Sequence, residues 1–264
     1  MKTYHFLIGL PRSGSTVLSS LLNQHPDVYV TPTSPLLDLL IAVQDKWHTC
    51  PAVLANPFPE QLTNIIQAMI ESAWSHRPEP IIIDRCRGWA KNLPAAYLLF
   101  KKQIKCIMTV RDLPSIMASW HTVMANNPGN YMDIELAKKN LPVTRESRVM
   151  GMWHNMVKDC MDGVRWAKWD GGEALLPVEY DAFIKDPEPI LANITKFLGL
   201  SDYKFDINNI ENTYEDDDLK AWGLSGLHSI RPRLEKTAKD PKELLGERLF
   251  ETFVTLEQQF VSKG

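Results

Sequence analysis

The stretch GLPRSGST, residues 9–16, has the residue types and the spacing of a phosphate-binding turn. It follows the apolar run YHFLI and precedes VLSSLL, which predicts a strand, a glycine turn and the start of a helix. Such a turn offers an anion several unpaired backbone N–H groups and the positive end of a helix dipole. Gly14 provides the glycine of the turn, and Ser13, Ser15 and Thr16 would add hydroxyl donors.

The charge of this turn differs from that of an ATP-binding P-loop. There, a lysine precedes the Ser/Thr and reaches the outer phosphates, whereas here Ser15 holds that place and Arg12 is the cation of the turn. An arginine can clamp a terminal oxyanion with its planar fork, without the metal ion that accompanies the lysine. This pattern predicts a co-substrate whose transferable group carries less charge than the terminal phosphate of ATP. A turn of this composition could also simply join a strand to a helix.

A second pair of anion-binding residues lies in VRDLPSIMAS, residues 110–119. Arg111 leaves the end of a predicted strand, and Ser119 follows eight residues later, about two turns into the helix that Pro114 begins. Both side chains can therefore face the same anion. The alternative for Arg111 is a structural ion pair with Asp112 or another carboxylate.

The stretch IIIDRCRGW places further charges at the end of another predicted strand. Arg85 and Arg87 stand at a helix start, where cations oppose the helix dipole, so an anionic ligand would account for them well. Asp84 is the first candidate for a general base, because the neighbouring arginines would keep it ionised. Its alternative role is only to hold those arginines. His121 and His154 are weaker candidates, since a helical histidine beside a tryptophan more often packs or faces solvent.

Strands alternate with helices along the chain, which predicts an α/β fold with a central parallel sheet and helices on both faces. The predicted strands cover residues 4–8, 25–31, 78–84, 104–110 and 173–180. The predicted helices follow the first turn, fill most of 35–76, run from the third strand to about 102, begin at 114, and cover 145–169 and 189–199. Ligands of such sheets bind beyond the carboxyl ends of the strands, so the three charged segments above would converge on one edge.

Composition sets limits on the rest. The chain has 264 residues, 44% of them hydrophobic, and shows no repeat, which predicts a single domain. A formal net charge of -3 predicts no general attraction to nucleic acid or to an anionic membrane. Four separate cysteines without a CxxC pair are typical of reduced thiols. The early first strand and the lack of a run of about 18 apolar residues predict a cytoplasmic protein without signal peptide or membrane anchor.

Together these motifs strongly resemble the sulfotransferases that use 3′-phosphoadenosine 5′-phosphosulfate (PAPS), above all the branch with the tyrosylprotein and heparan enzymes. In that family a PRSGTT or PKSGTT turn holds the 5′-phosphosulfate, and residues 11–16 read PRSGST. The family binds the 3′-phosphate through an arginine at a strand end and a serine eight residues later, matched by Arg111 and Ser119. LLNQHPDV (residues 21–28) and VEYDAFIKDPEPILANITKFLGL (residues 178–200) are similar to two further stretches of the family.

The resemblance implies that residues 1–264 form a single P-loop NTPase-like sulfotransferase fold. It also implies which reaction the protein catalyses. A sulfuryl group would pass from PAPS to a hydroxyl or amine acceptor, and no metal is expected, because the mobile group carries a single negative charge. Arg12 and the N–H groups of the turn would stabilise the leaving phosphate. Arg85, near the place of a family lysine, would assist at the scissile bridge, and Arg87 would bind donor or acceptor.

Two segments would enclose the ligands. The helical insertion at residues 35–76 is predicted to form a lid on the acceptor side. Residues 223–236 resemble the late loop that closes over the adenosine and the 3′-phosphate in the family, with Ser225 and Arg231 as contacts; a solvated basic loop is the alternative. Its basic residues are Arg231, Arg233 and Lys236. The acidic run EDDD at residues 215–218 could attract a basic acceptor, although such runs are usually solvated.

The base that the family uses is absent from its usual places. Where related enzymes have a glutamate after the second strand or a histidine after the third, this chain reads TPTSP (residues 31–35) and DRCR (residues 84–87). Two other functions therefore stay open. One is a small-molecule kinase that uses ATP, in which Asp84 and a hydroxyl of the turn would hold Mg²⁺. The other is a module that binds a nucleotide without catalysing a reaction. Neither the acceptor nor the oligomeric state follows from the sequence.

Overall fold

The computed structural model of the chain describes residues 2–100, 104–214, 217–235 and 239–261. Its centre is a five-stranded sheet with the strand order β2-β3-β1-β4-β5, in which every pairing is parallel. The strands are β1 Thr3–Gly9, β2 Val28–Thr33, β3 Ile81–Arg85, β4 Cys106–Val110 and β5 Leu175–Glu179. The predicted parallel sheet is confirmed.

The strand β1 occupies the middle of the sheet because it is apolar on both faces. Tyr4, Phe6 and Ile8 pack into the larger of two cores, while Leu7 packs into the smaller core on the opposite face. This alternation follows from the two-residue period of a strand. The two cores are covered by helices, so each face of the sheet is buried.

Helices flank the sheet and connect its strands. In the described part of the chain the α-helices are α1 Ser15–Leu22, α2 Leu36–Thr49, α3 Pro51–Ala55, α4 Pro59–Ala73, α5 Leu93–Phe100, α6 Leu113–Ala125, α7 Tyr131–Lys138, α8 Arg145–Met152, α9 Lys158–Gly171, α10 Tyr180–Lys185, α11 Pro187–Leu198, α12 Asp218–Trp222, α13 Pro241–Leu245 and α14 Glu247–Val261. Short 3₁₀ segments cover Arg87–Lys91 and Gly172–Ala174, and a π-helical segment covers Trp153–Val157. No described helix is long and apolar enough to cross a membrane.

The elements agree well with the pattern of the sequence. The insertion at 35–76 consists of three helices, α2 to α4, and the predicted helix at 145–169 is observed as α8, the π segment and α9 in succession. Gly199 ends α11 with a φ of 74°, as its position predicts. The carboxyl ends of β1, β3 and β4, at Gly9, Arg85 and Val110, lie at the same edge of the sheet. The three charged segments are therefore brought together there.

One histidine is built into the central strand. His5 is buried in β1, and its Nδ1 accepts a hydrogen bond of 3.1 Å from the backbone N–H of Lys105. Burial, with a smaller contribution from the charge of Lys105, lowers the pKa of His5 from 6.5 to about 4. The fold therefore holds this imidazole in its neutral form.

We expect His5 to make the fold acid-sensitive. Between the pH values of its unfolded and folded pKa, 6.5 and about 4, the unfolded chain binds a proton that the fold excludes. The free energy of unfolding should therefore fall as the pH is lowered through that window, by on the order of 3 kcal/mol for this group. His5→Asn keeps an acceptor for the Lys105 N–H and should remove this part of the slope in urea unfolding at pH 7 to 4. The exposed His48→Asn is the control, and equal slopes in both variants would contradict the assignment.

Candidate active site

The turn between β1 and α1 has the shape of an anion cradle. Gly14 is the N-cap of α1 with a φ of 90°, and no side chain caps this helix. The N–H groups of its first turn are therefore open to an exogenous acceptor. A Cβ at Gly14 would lie 2.6 Å from the ring of Tyr180, so both the backbone conformation and the close approach require glycine. Arg12 also has a positive φ, 62°, which is uncommon for a residue with a side chain.

Ser13 differs from its predicted role as a hydroxyl donor to the ligand. Its side chain is buried, donates to the carbonyl oxygen of Leu10 and shares a hydrogen bond of 2.7 Å with Oγ1 of Thr109. The hydroxyl thus ties the turn to β4. Gly9 permits this contact between strands, because a Cβ there would lie 2.2 Å from the carbonyl oxygen of Thr109. Ser13 could meet a ligand only through its backbone N–H.

Arg111 is joined to the phosphate turn rather than to a carboxylate. Its Nη1 donates to the carbonyl oxygen of Arg12 at 2.9 Å, and its guanidinium lies 4.2 Å from the centre of the Tyr180 ring. The alternative pairing with Asp112 is not observed: that side chain caps α6 by accepting from the backbone N–H of Ser115 at 2.8 Å. Nε of Arg111 is buried without a hydrogen-bond partner among the described residues. A buried donor of this kind points to a ligand.

The side chain of Arg12 takes a different direction from the one expected. Instead of lying over the turn, it donates from Nε to Oγ of Ser119 at 3.1 Å and from Nη1 to the carbonyl oxygen of Leu227. Burial, followed by repulsion from Arg111, lowers the pKa of the Arg12 guanidinium. Arg12, Arg111 and Ser119 therefore form one cationic group, which we call the second subsite.

Arg85 is the cation that lies at the turn itself. It is 7% exposed, and its Nη1 lies 3.3 Å from Oγ1 of Thr16 at the start of α1. Its Nη2 lies 3.5 Å from Oγ1 of Thr33, and its backbone N–H donates to Thr31. Arg87 is exposed, with Nη1 3.7 Å from the sulfur of Met156. We call the N–H groups of the turn, Thr16 and Arg85 the first subsite.

The structure does not support Asp84 as the general base. The carboxylate is fully buried inside the sheet layer, where it accepts from Oγ of Ser34 at 2.6 Å and from Nε1 of Trp89 at 2.8 Å. Burial raises the pKa of this carboxyl, against the effect of these two donors. The alternative, that Asp84 holds the neighbouring arginines, is also not what is observed. Adjacent residues of a strand point to opposite faces of the sheet, so the side chains of Asp84 and Arg85 lie on different faces.

Residues 223–236, which we call the late segment, contact the site through residues other than Ser225. Ser225 is exposed, and its backbone is tied to Asn127 through hydrogen bonds of 2.8 and 3.2 Å, so its predicted contact with a nucleotide is not supported. Arg231 does face the cavity described below and lies 4.0 Å from Glu235. Lys236 lies outside the described residues.

Within the acidic run 215–218, Asp218 is not solvated. It is buried and accepts from the backbone N–H of His228 at 2.8 Å, while one of its oxygens lies 2.5 Å from Nδ1 of that histidine. Asp217 caps α12 by accepting from the N–H of Lys220. Glu215 and Asp216 lie outside the described residues. Asp217 and Asp218, half of the proposed acidic patch, therefore have structural roles.

The two subsites open into one cavity of about 1250 Å³ at the carboxyl edge of the sheet. The described lining residues include seven arginines and lysines but two carboxylates. The cavity is therefore cationic, in contrast to the net charge of -3 for the whole chain. The seven cations are Arg12, Arg85, Arg87, Arg111, Arg231, Arg233 and Lys239. Gly14, Ser15, Thr16 and Ser119 also line it. Such a site concentrates anions from solution.

Several residues of the candidate site were not identified from the sequence. Tyr180 covers both Gly14 and Arg111, and the carbonyl of Leu227 binds Arg12; neither contact can be read from local spacing. The weaker candidates for a base, His121 and His154, do not line the cavity. In the described chain no group of three or more His, Cys, Asp or Glu side chains is arranged to hold a metal ion. The expectation that no metal is required stays a prediction.

Comparison with known proteins identifies the family. Residues 5–204 match the family model described as "Sulfotransferase family". The chain belongs to the sulfotransferase family. It is 24% identical over 216 residues to protein-tyrosine sulfotransferase 2 of Gallus gallus, a match that covers 74% of this chain and 51% of the relative. The chain thus spans about half the length of this curated relative.

Solved structures support the same fold for this sulfotransferase family member. The sulfotransferase domain from the curacin biosynthetic pathway is similar with a TM-score of 0.57 at 16% identity, over 97% of each chain. The sulfotransferase domain from the Synechococcus olefin synthase gives a TM-score of 0.50 at 19% identity, over 96% of each chain. The single α/β domain with a parallel sheet is therefore the fold of the family.

We expect Asp84→Asn to destabilise the protein although it conserves the size of the side chain. The amide oxygen can accept from only one of the two buried donors, Ser34 and Trp89, and the amide nitrogen would face the other. The unsatisfied donor should cost about 2 kcal/mol in the free energy of unfolding, measured by urea titration at pH 7. Asp202→Asn, at an exposed loop position, is the matched control. Equal stabilities of the two variants would contradict the structural role of Asp84.

Proposed function

We propose that this chain transfers a sulfuryl group from PAPS to a hydroxyl or amine acceptor. The observation that carries the proposal is the pairing of two cationic subsites across one cavity, fixed to each other by the hydrogen bond from Arg111 to the carbonyl oxygen of Arg12. PAPS carries an anion at each end of its ribose, a 5′-phosphosulfate and a 3′-phosphate. ATP lacks the second of these.

The first subsite suits the 5′-phosphosulfate. The N–H groups of the turn and the hydroxyls of Ser15 and Thr16 would hold its oxygens, and Arg85 would stabilise the charge that develops on the leaving phosphate. In the reaction the acceptor oxygen forms a bond to sulfur, the bond from sulfur to the bridging oxygen breaks, and the electron pair stays on the phosphate. The acceptor also gives up a proton.

The second subsite suits the 3′-phosphate. The buried Nε of Arg111 and the hydroxyl of Ser119 would donate to it, and Arg12 would turn from the carbonyl of Leu227 toward the new charge. This assigns Arg12 mainly to 3′-phosphate binding and leaves the leaving group to Arg85. Residues 223–236, through Arg231, would close over the nucleotide, and the insertion at 35–76 would form the lid of the acceptor side of a single domain over 1–264.

The acceptor class is suggested by the name of the Gallus gallus relative, a protein-tyrosine sulfotransferase. A phenolic hydroxyl is therefore the first acceptor to test, followed by aliphatic alcohols, sugars and amines. A cytoplasmic location, and the absence of nucleic-acid and membrane partners, belong to the same proposal.

The kinase alternative loses its main support. It requires Asp84 to hold Mg²⁺, but both oxygens of that carboxylate accept hydrogen bonds from Ser34 and Trp89 in a buried position. The absence of a lysine before Thr16 weighs in the same direction. A module that binds the nucleotide without catalysis is separated from an enzyme by incubation with ³⁵S-labelled PAPS and the acceptors above, because donor binding without transfer would favour the module.

We expect calorimetric titration to show binding of adenosine 3′,5′-bisphosphate and much weaker binding of ATP with Mg²⁺. Arg111→Ala should lower the affinity for the bisphosphate about 10- to 100-fold, because charge-assisted hydrogen bonds to the 3′-phosphate are lost. The affinity for 5′-AMP, which has no 3′-phosphate, should change much less. Arg165→Ala, in a surface ion pair with Asp162, is the control. Tight binding of ATP–Mg²⁺ without a response to the bisphosphate would reverse the assignment.

A further inference from the structure

The burial of Asp84 leaves the proposed reaction without the base that the sequence suggested. The cavity, in the part of the chain that the structure describes, is lined by two carboxylates, Asp38 and Glu235. Glu235 lies on the late segment next to Arg231, at 4.0 Å. Asp38 lies in the first turn of α2, on the side of the cavity where β2 and β3 end. The two carboxylates therefore belong to different walls.

Asp38 stands on a rigid support. Leu36, Leu37 and Leu40 of α2 are buried, and a Cβ at Gly88 would lie 2.7 Å from Cδ2 of Leu37, so the first turn of α2 packs directly against residues 86–88. Oγ of Ser34 accepts from the backbone N–H of Leu36 at 3.2 Å while it donates to Asp84. The start of α2 is thus fastened to the end of β3.

The pKa of the Cys86 thiol reflects the charged side chains that lie around it. The pKa of the Cys86 thiol is raised to about 11, chiefly by burial; a hydrogen bond from the backbone of Gly88 lowers it, the carboxylates of Asp84 and Asp38 raise it, and the guanidinium of Arg87 lowers it. Asp38 and Arg87 are therefore both near this sulfur, which follows Arg85 in the chain. Asp38 and Arg85, the cation assigned to the leaving phosphate, line the same cavity.

The carboxylate of Asp38 is also free to accept a hydrogen bond from a bound molecule. Its residue is exposed, and it makes no hydrogen bond or ion pair with another described residue. The lining beside Arg85 and Arg87 at the ends of β2 and β3, against which α2 packs, is polar or small: Thr33, Ser34, Cys86 and Gly88. An acceptor hydroxyl that approaches the first subsite from this wall would meet an oxygen acceptor that has no competing partner.

We propose that Asp38 is the general base that takes the proton of the acceptor, an inference that rests on the proposed sulfuryl transfer. As the acceptor oxygen bonds to sulfur and the bridging S–O bond breaks, the O–H proton passes to Asp38. The electron pair of the broken bond stays on the 5′-phosphate of the departing nucleotide. The protonated carboxyl then returns its proton to the water of the open cavity.

Two other roles compete with this one. An aspartate in the first turn of a helix also stabilises that helix through its dipole, and Asp38 could do no more than that. His228 is a second proton acceptor in the lining, oriented by Asp218, but it follows Leu227, whose carbonyl binds Arg12 at the second subsite. That position favours contact with the nucleotide rather than with the acceptor.

The test compares Asp38→Asn, Asp38→Glu and the control Asp45→Asn, an exposed acid of the same helix outside the cavity lining. Transfer from ³⁵S-labelled PAPS is measured to tyramine, to 4-nitrophenol and to an aliphatic alcohol, and binding of adenosine 3′,5′-bisphosphate is titrated in parallel. Asp38→Asn should lower kcat/KM for tyramine about 10²- to 10⁴-fold with bisphosphate affinity unchanged. The loss should be much smaller for 4-nitrophenol, because a more acidic phenol needs less help to release its proton. Asp38→Glu should restore part of the rate.

Other outcomes overturn the proposal. A loss that is equal for all acceptors, a parallel loss of bisphosphate affinity, or a change no larger than that of Asp45→Asn would assign Asp38 to helix stability or binding. An acceptor-dependent loss in His228→Asn instead would identify the histidine as the base. If the unsubstituted protein binds the bisphosphate but transfers to no acceptor, the proposed function itself fails, and the base fails with it.

Discussion

The hydrogen bond from Arg111 to the carbonyl oxygen of Arg12 joins the two halves of the candidate site. One partner leaves the end of β4 and the other belongs to the turn after β1, and these strands are neighbours in the sheet. The distance between the subsites is therefore set by strand pairing and not by a flexible loop. A ligand with two anions at a fixed separation is the kind of molecule that such a frame can select, because little has to be reorganised on binding. Tyr180 reinforces the frame by packing on Gly14 and on Arg111.

The same arrangement creates a repulsion that a ligand would relieve. Arg12 and Arg111 are held close together in a partly buried place, and no carboxylate of the described chain forms a salt bridge with either. Burial and this like charge both lower the pKa of Arg12, because both disfavour its charged form. Its hydrogen bonds to Ser119 and to the carbonyl of Leu227 offset part of that cost. A phosphate at the second subsite would offset the charge of both guanidinium groups at once.

Local patterns predicted the sheet and the phosphate turn well, because both depend on residues that are near in sequence. The strand–turn–helix at residues 9–16 and the spacing of Arg111 and Ser119 were sufficient to place these residues at one edge of the sheet, where they line one cavity. Side-chain direction was not predictable in the same way. Arg12 reaches a carbonyl 215 residues away, and Asp84 finds its partner Ser34 across the neighbouring strand. Strand alternation alone predicts that Asp84 and Arg85 lie on opposite faces of the sheet.

The buried carboxylate and the exposed one are linked through a single hydroxyl. Asp84 accepts from Ser34, and the same oxygen of Ser34 accepts from the N–H of Leu36 at the start of α2. That helix carries Asp38 two residues later, over the turn that follows β3. An aspartate at the end of a central strand thus fixes the position of a second aspartate at the cavity wall. A strand-end acid can therefore support the geometry of the site without touching a substrate, while the acid proposed as the base stands on an inserted helix.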